Sequence, residues 1–164
     1  MKKLLAILII SMSICSVAAQ DTLEDYDIKI GDLYIENKHK EALELANIAI
    51  SKYPNAPELY YARGLAQQEL GNKKAALADL DKAIQMNYKD DGIYFARGLV
   101  KLDMNNLVSA QKDFTTCIQI NPKNYSCYYE RAQLRLLLGD IFGYKSDKEK
   151  FNKYIEEERK SINQ

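Results

Sequence analysis

The 164-residue sequence has no tryptophan, one histidine, three cysteines, three prolines and seven glycines, and its formal net charge is zero. Each scarcity removes a class of function. With His39 alone, no Cys/His spacing for a metal can be assembled, and its place just after a turn suits a surface residue better than a catalytic base. The glycines form no phosphate-cradling loop. Basic and acidic side chains balance at 23 each and are spread along the chain, without the basic excess that a nucleic-acid-binding domain carries. Carboxylate pairs such as Asp79 and Asp81 stand two apart on a helical pattern and do not face each other. The expectation is a non-enzymatic protein with no metal, no cofactor, no small-molecule substrate and no nucleic-acid partner.

The first twenty residues stand apart from the rest. Lys2 and Lys3 precede an apolar run, LLAILII (4–10), and SVAAQ (16–20) places Val17 and Ala19 as small residues before a cleavage site. Residues 1–20 therefore read as a signal peptide cleaved after Ala19 or Gln20, and the protein as exported, periplasmic or secreted. Membrane contact is expected only through this segment before cleavage, because the run is too short for a span of about 20 residues. Cys15 raises the possibility of lipid attachment, but the bulky Ile14 before it argues against that motif. Loss of Lys2 and Lys3 leaves 21 basic against 23 acidic residues.

What is present instead is a repeat. At a spacing of 34, Tyr26, Tyr60, Tyr94 and Tyr128 align; so do Ala42, Ala76 and Ala110, with Tyr144 last. The same step joins Ala49 and Ala83 to Cys117 and Phe151, and Ile50 and Ile84 to Ile118 and Asn152. Gly64, Gly98 and Ala132 form a further small-residue column that begins at Ile30. Each unit divides into two amphipathic helices. Pro57 suits a first turn and Gly71 a helix end, and Ala76, Leu77, Leu80, Ala83 and Ile84 then share one helical face. Tight turns fall at 71–72, 105–106 and 139–140, and Pro54 and Pro122 lie between units. Gly64 and Ala76 mark a close approach of the two helices within a unit.

The ordered aromatic, glycine, paired alanines and inter-unit proline resemble the tetratricopeptide repeat family over residues 23–156. The resemblance implies an all-α, right-handed α-solenoid of about four helical hairpins. The units are 23–56, 57–90, 91–124 and 125–158, the last degenerate and followed by a capping helix to residue 164. Tyr144 and Phe151 replace small residues in that last unit, as suits an end repeat with no further neighbour.

Lys29, Arg63, Arg97 and Arg131 also form a column, and Asp79, Asp113 and Asp147 follow the three arginines at sixteen residues. Where the arginine is replaced by Lys29, the aspartate is replaced by Leu45. Sixteen residues on is the facing helix of the same hairpin, so the expectation is three Arg–Asp pairs stapling units two to four; an exposed basic stripe for an acidic partner is the alternative.

In such a stack the first helices line the inner face. A stripe along them carries Tyr34; Tyr61, Leu65 and Gln68; Phe95, Leu99 and Leu102; and Tyr129, Gln133 and Leu136. This stripe is a candidate groove for a peptide or helix of a protein partner, the alternative being packing against neighbouring units or the C-terminal helix. Tetratricopeptide domains that hold acidic chaperone tails use Lys and Asn along it; here those places hold Asp27, Gly31, Tyr61 and Leu65, which sets that ligand aside. Cys117 and Cys127 flank an inter-unit turn at opposing heights, placed either for a disulfide or as two small buried residues. The functional expectation is a scaffold or adaptor binding in its groove. The alternative is an assembly subunit of a cell-envelope complex, using its ends or C-terminal helix as the interface.

Overall fold

The computed structural model describes residues 21–162, so residues 1–20, with the signal-peptide reading and Cys15, lie outside the described residues. Eight helices follow in order: α1 Leu23–Ile35, α2 His39–Lys52, α3 Pro57–Glu69, α4 Lys73–Gln85, α5 Asp91–Asp103, α6 Leu107–Ile120, α7 Tyr125–Leu137 and α8 Ile141–Ile162. Among the described residues there is no strand. Consecutive helices pair into hairpins (α1–α2, α3–α4, α5–α6, α7–α8), and each hairpin packs on the next, giving a helical solenoid.

The hairpin turns have a common cause. Asn37, Gly71, Asn105 and Gly139 lie 34 apart and take φ of 59°, 77°, 60° and 80°. Glycine enters this left-handed region freely, and asparagine is the side chain that tolerates it best. Asn37 thus does for unit one what Gly71 does for unit two. One residue later, the amide of Lys38, Asn72, Asn106 and Asp140 donates back to the carbonyl of Leu33, Gln67, Lys101 and Arg135, closing each first helix. Helix starts are capped by Thr22 with Asp25 reciprocally, by Asp90 and by Asn124.

The small-residue columns form the core. Ala42, Ala76 and Ala110 are fully buried, as are Ala49, Ala83 and Cys117. Three clusters run along the stack, centred on Tyr26 with Ile30 and Leu59, on Leu80 with Ile93 and Val100, and on Phe114 with Leu134. The helices approach closely where Gly64 and Gly98 sit: a Cβ on Gly64 would meet Leu80 Cγ at 3.0 Å, and one on Gly98 would meet Phe114 Cε1 at 2.6 Å. In the last unit the second helix and the capping segment are one element, the 22-residue α8. Its Phe151 and Tyr154 rings lie 6.1 and 5.7 Å from those of Tyr125 and Tyr128, so ring contacts join α7 to α8 in this unit.

Candidate partner-binding face

The face is held in register by the arginine column. Arg63 donates from Nε and Nη2 to the two oxygens of Asp79, both at 2.7 Å; Arg97 does the same to Asp113 at 2.9 and 2.6 Å, and Arg131 to Asp147 at 2.9 and 2.7 Å. The aspartates are buried and the guanidiniums half-buried, so these are sheltered forks joining the two helices of a hairpin, not a solvent-facing basic stripe. Each arginine also lies over the tyrosine three residues before it, 5.6, 5.5 and 5.8 Å from the rings of Tyr60, Tyr94 and Tyr128.

Two further columns escaped the sequence reading. The remaining Nη1 of each arginine reaches back sixteen residues into the preceding hairpin, to Asn47 (2.8 Å), Asp81 (2.6 Å) and Thr115 (3.1 Å). The aspartates accept a third donor as well: Gln67 at 2.8 Å, Lys101 at 2.7 Å and Arg135 at 2.9 Å. Both sets recur at 34 residues, but their chemical identities vary, which hid them. In unit one Lys29 turns outward to Asp21 at 2.6 Å, and Lys52 from α2 takes the place over the Tyr26 ring, 5.0 Å from its centre.

The inner stripe divides into three parts. At the N-terminal end Tyr34, Tyr61 and Leu65, with Ile30, Gly31, Ala62, Asp27 and Tyr88, line a cleft of about 260 Å³ between α1 and α3. In the middle Phe95, Leu99 and Leu102 are half-buried against the Phe114 cluster, with the Phe95 and Phe114 rings 6.1 Å apart. At the C-terminal end Tyr129 and Gln133 open on a second cleft of about 250 Å³ shared with Tyr144, Lys148 and Phe151 of α8. The stripe is therefore two clefts separated by a packed stretch. Gln68 is half-buried with its carbonyl oxygen lacking a hydrogen-bond partner, and Leu136 lies exposed near the end of α7.

Packing governs Tyr61 more than its place in the stripe suggests. Its ring lies 5.4 Å from that of Tyr88, and its hydroxyl occupies the space a side chain at residue 92 would need, since a Cβ on Gly92 would lie 2.8 Å from it. Burial, with Asp90 next in effect, pushes its hydroxyl pKa well above the ordinary tyrosine range. Asp27 stays accessible at the rim, yet desolvation by the cleft walls, reinforced by Glu58, raises its carboxyl above the usual value. Burial likewise raises Tyr34 and Tyr88, with Glu69 acting on the first and Asp90, Asp27 and Glu58 on the second. This end of the face is aromatic and electronegative.

Two features lie off the stripe. Cys117 on α6 and Cys127 on α7 are fully buried and joined as a disulfide across a Cα separation of 6.4 Å, tying unit three to unit four. Around the α7–α8 turn Leu137, Leu138, Ile141 and Phe142 are exposed, Phe142 at 91%. Neither was among the inner-face residues: the disulfide faces inward between hairpins, and the apolar turn is at the end of the stack. His39 opens α2 with its ring 5.1 Å from that of Tyr34. Among the described residues no group of three His, Cys, Asp or Glu side chains is placed to hold a metal ion, and no helix is long and apolar enough to cross a membrane.

Residues 57–90 and 92–124, which span the two central hairpins, each match the tetratricopeptide repeat family model. No curated protein matches the chain. Among solved structures it is similar to YrrB, described as a TPR protein with an unusual peptide-binding site (TM-score 0.71, 15% identity, 83% of this chain and 70% of that one). It is also similar to a MamA fragment from Desulfovibrio magneticus RS-1 (TM-score 0.69, 18% identity, 86% and 78%). A third likeness is to the first TPR domain of Spaghetti (RPAP3), a structure holding the HSP90 peptide SRMEEVD (TM-score 0.68, 22% identity, 76% and 98%). At these identities the likeness is one of fold.

Proposed function

We propose that this protein is a non-enzymatic interaction module, exported from the cytoplasm, that holds a peptide or helix of a protein partner on its inner face. The observation that carries the reading is the pair of aromatic clefts, one between the first helices α1 and α3 and one between α7 and its hairpin partner α8. Structural neighbours that carry peptides or a peptide-binding site on the same fold support it. The four units 23–56, 57–90, 91–124 and 125–158 supply the frame; the arginine forks hold the two helices of a hairpin in register, and the Nη1 bonds tie each to the hairpin before it. The test is affinity capture from the cell envelope with wild-type protein and with Tyr34→Ser plus Tyr129→Ser, chosen because these side chains line the clefts without being buried. Loss of a specific partner with helicity intact supports the reading; undiminished capture sinks it. Export is checked by mass spectrometry of the purified protein, which should start at Gln20 or Asp21; a retained Met1 counts against it.

A second reading has its own observation. The exposed Leu137, Leu138, Ile141 and Phe142 form an apolar end surface of the kind that marks an assembly interface. If capture survives the cleft substitutions and Phe142→Ser alone removes it, the protein works as an assembly subunit through that end.

A further inference from the structure

We propose that the N-terminal cleft takes the cationic side chain of a lysine- or arginine-bearing segment of the partner, a proposal that rests on the reading of the inner face as the partner-binding surface. The chain itself shows what its tyrosines and aspartates accept. At three places a guanidinium lies over a tyrosine ring at 5.5 to 5.8 Å while it meets an aspartate beside it. The cleft between α1 and α3 presents the same chemistry with the cation missing: Tyr34, Tyr61 and Tyr88 on its walls and Asp27 at its rim. Among the described residues the Asp27 carboxylate makes no hydrogen bond or ion pair, although the cleft walls desolvate it. The charges acting on these four side chains are themselves carboxylates, namely Glu58, Glu69, Asp90 and Asp91.

An aromatic pocket attracts a cation through the negative faces of its rings, and the attraction grows as water is excluded. Surrounding carboxylates steer a basic segment toward it and repel an acidic one. The cleft is open where the ligand must enter. A Cβ built on Gly31 meets nothing within 4 Å, so the glycine leaves room on the α1 side of the pocket. A lysine stem can lie along Ile30, Ala62 and Leu65 with its ammonium among the tyrosines and Asp27.

The test uses nitrogen-15-labelled protein and three short peptides with the same apolar positions and Lys, Gln or Glu at the others. The Lys peptide should shift the amide resonances of Asp27, Gly31, Leu65 and Tyr88, bind about tenfold more tightly than the Gln peptide, and weaken as salt rises. The Glu peptide should leave those resonances in place. Asp27→Asn should weaken the Lys peptide by about tenfold through lost charge. Gly31→Leu should block it by filling the pocket while the helix content holds or rises. Equal binding by the Gln or Glu peptide at these residues, or Lys-peptide binding indifferent to both substitutions, overturns the proposal. If a peptide shifts Phe95 or Tyr129 without Asp27, the inner-face reading stands and the cationic pocket falls. If none of the three moves any inner-face resonance, both fall.

Discussion

Asp113 joins the two helices of the hairpin α5–α6 through buried ionic hydrogen bonds. Its carboxylate is 2% exposed and accepts Arg97 Nε and Nη2 at 2.9 and 2.6 Å and Lys101 at 2.7 Å. Asp113→Leu leaves two cations with side-chain exposures of 17% and 18%, and only Arg97 keeps a second carboxylate, the more exposed Asp81. Stranding buried charge in this way costs about 3–5 kcal/mol. Arg97→Met is the milder change, about 2–3 kcal/mol by the same reasoning, because Lys101 still neutralises Asp113. The double variant should cost less than the sum of the two, with a coupling of about 1–3 kcal/mol, since the second change removes a charge already stranded. Thermal unfolding followed by far-ultraviolet circular dichroism gives the ordering directly: Asp113→Leu should lower the midpoint on the order of 10 °C, more than Arg97→Met. Urea titration of all four proteins gives the coupling. Additive effects within about 0.5 kcal/mol, or an arginine loss worse than the aspartate loss, would refute the argument.

The glycines make a contrasting set: Gly98→Ala should destabilise by about 1–3 kcal/mol because its Cβ meets the Phe114 ring at 2.6 Å, whereas Gly31→Ala should stabilise by about 0.5–1 kcal/mol, both read from urea midpoints. The disulfide closes a loop of ten residues' separation and should contribute about 2–3 kcal/mol, so Cys117→Ala with Cys127→Ala lowers the unfolding midpoint; both sulfurs are buried, and alkylation should need reductant and denaturant together. Asp27 has its folded carboxyl raised above the ordinary 3.8, chiefly by burial, so its neutral form is the one the fold favours; that contribution is complete below 3.8 and is lost as pH climbs through the raised value. Asp27→Asn should therefore raise the unfolding midpoint at neutral pH, with the advantage gone in strong acid. Glu130, raised by burial alone, should behave the same way as Glu130→Gln.

The repeat was the most legible part of the molecule, because packing demands the same small residue at each close approach. Ala42, Ala76 and Ala110 line up in the sequence because each is fully buried where the two helices of its hairpin meet, and the column breaks at Tyr144 only in the last unit. The Arg–Asp forks could be read because both partners recur unchanged. Their outer bonds could not: Asn47, Asp81 and Thr115 share a place and an acceptor oxygen but not a residue type. A search for recurring hydrogen-bonding capacity, not recurring identity, would have found them. The turn at Asn37 was hidden for the same reason, as two residue types satisfy one backbone requirement. The inner stripe was legible as a list and not as a surface. Helical spacing says which residues share a side of α3; it does not say that Tyr88, from the connection after α4, closes over Tyr61. Phe95 and Tyr129 hold equivalent places, yet one is drawn into the Phe114 cluster and the other is 46% exposed beside α8. The difference comes from the facing helix of each hairpin, Phe114 on α6 against Phe151 on α8, which no periodicity within one helix encodes.

The same chemistry serves two ends in this chain. In units two to four the cation is built in, and a carboxylate, an aromatic ring and a guanidinium lock neighbouring helices together. At the N-terminal end the guanidinium is replaced by Lys29, which turns away to Asp21, and the nearby cleft keeps rings and carboxylates without a counter-charge. A desolvated carboxylate that raises its own pKa works against folding. Asparagine at residue 27 would remove that penalty with no loss of packing. On the proposed reading, that unoffset cost is the mark of a binding residue, and the chemistry that meets the partner is that of Asp27 and the rings lining its cleft, not that of the conspicuous arginines.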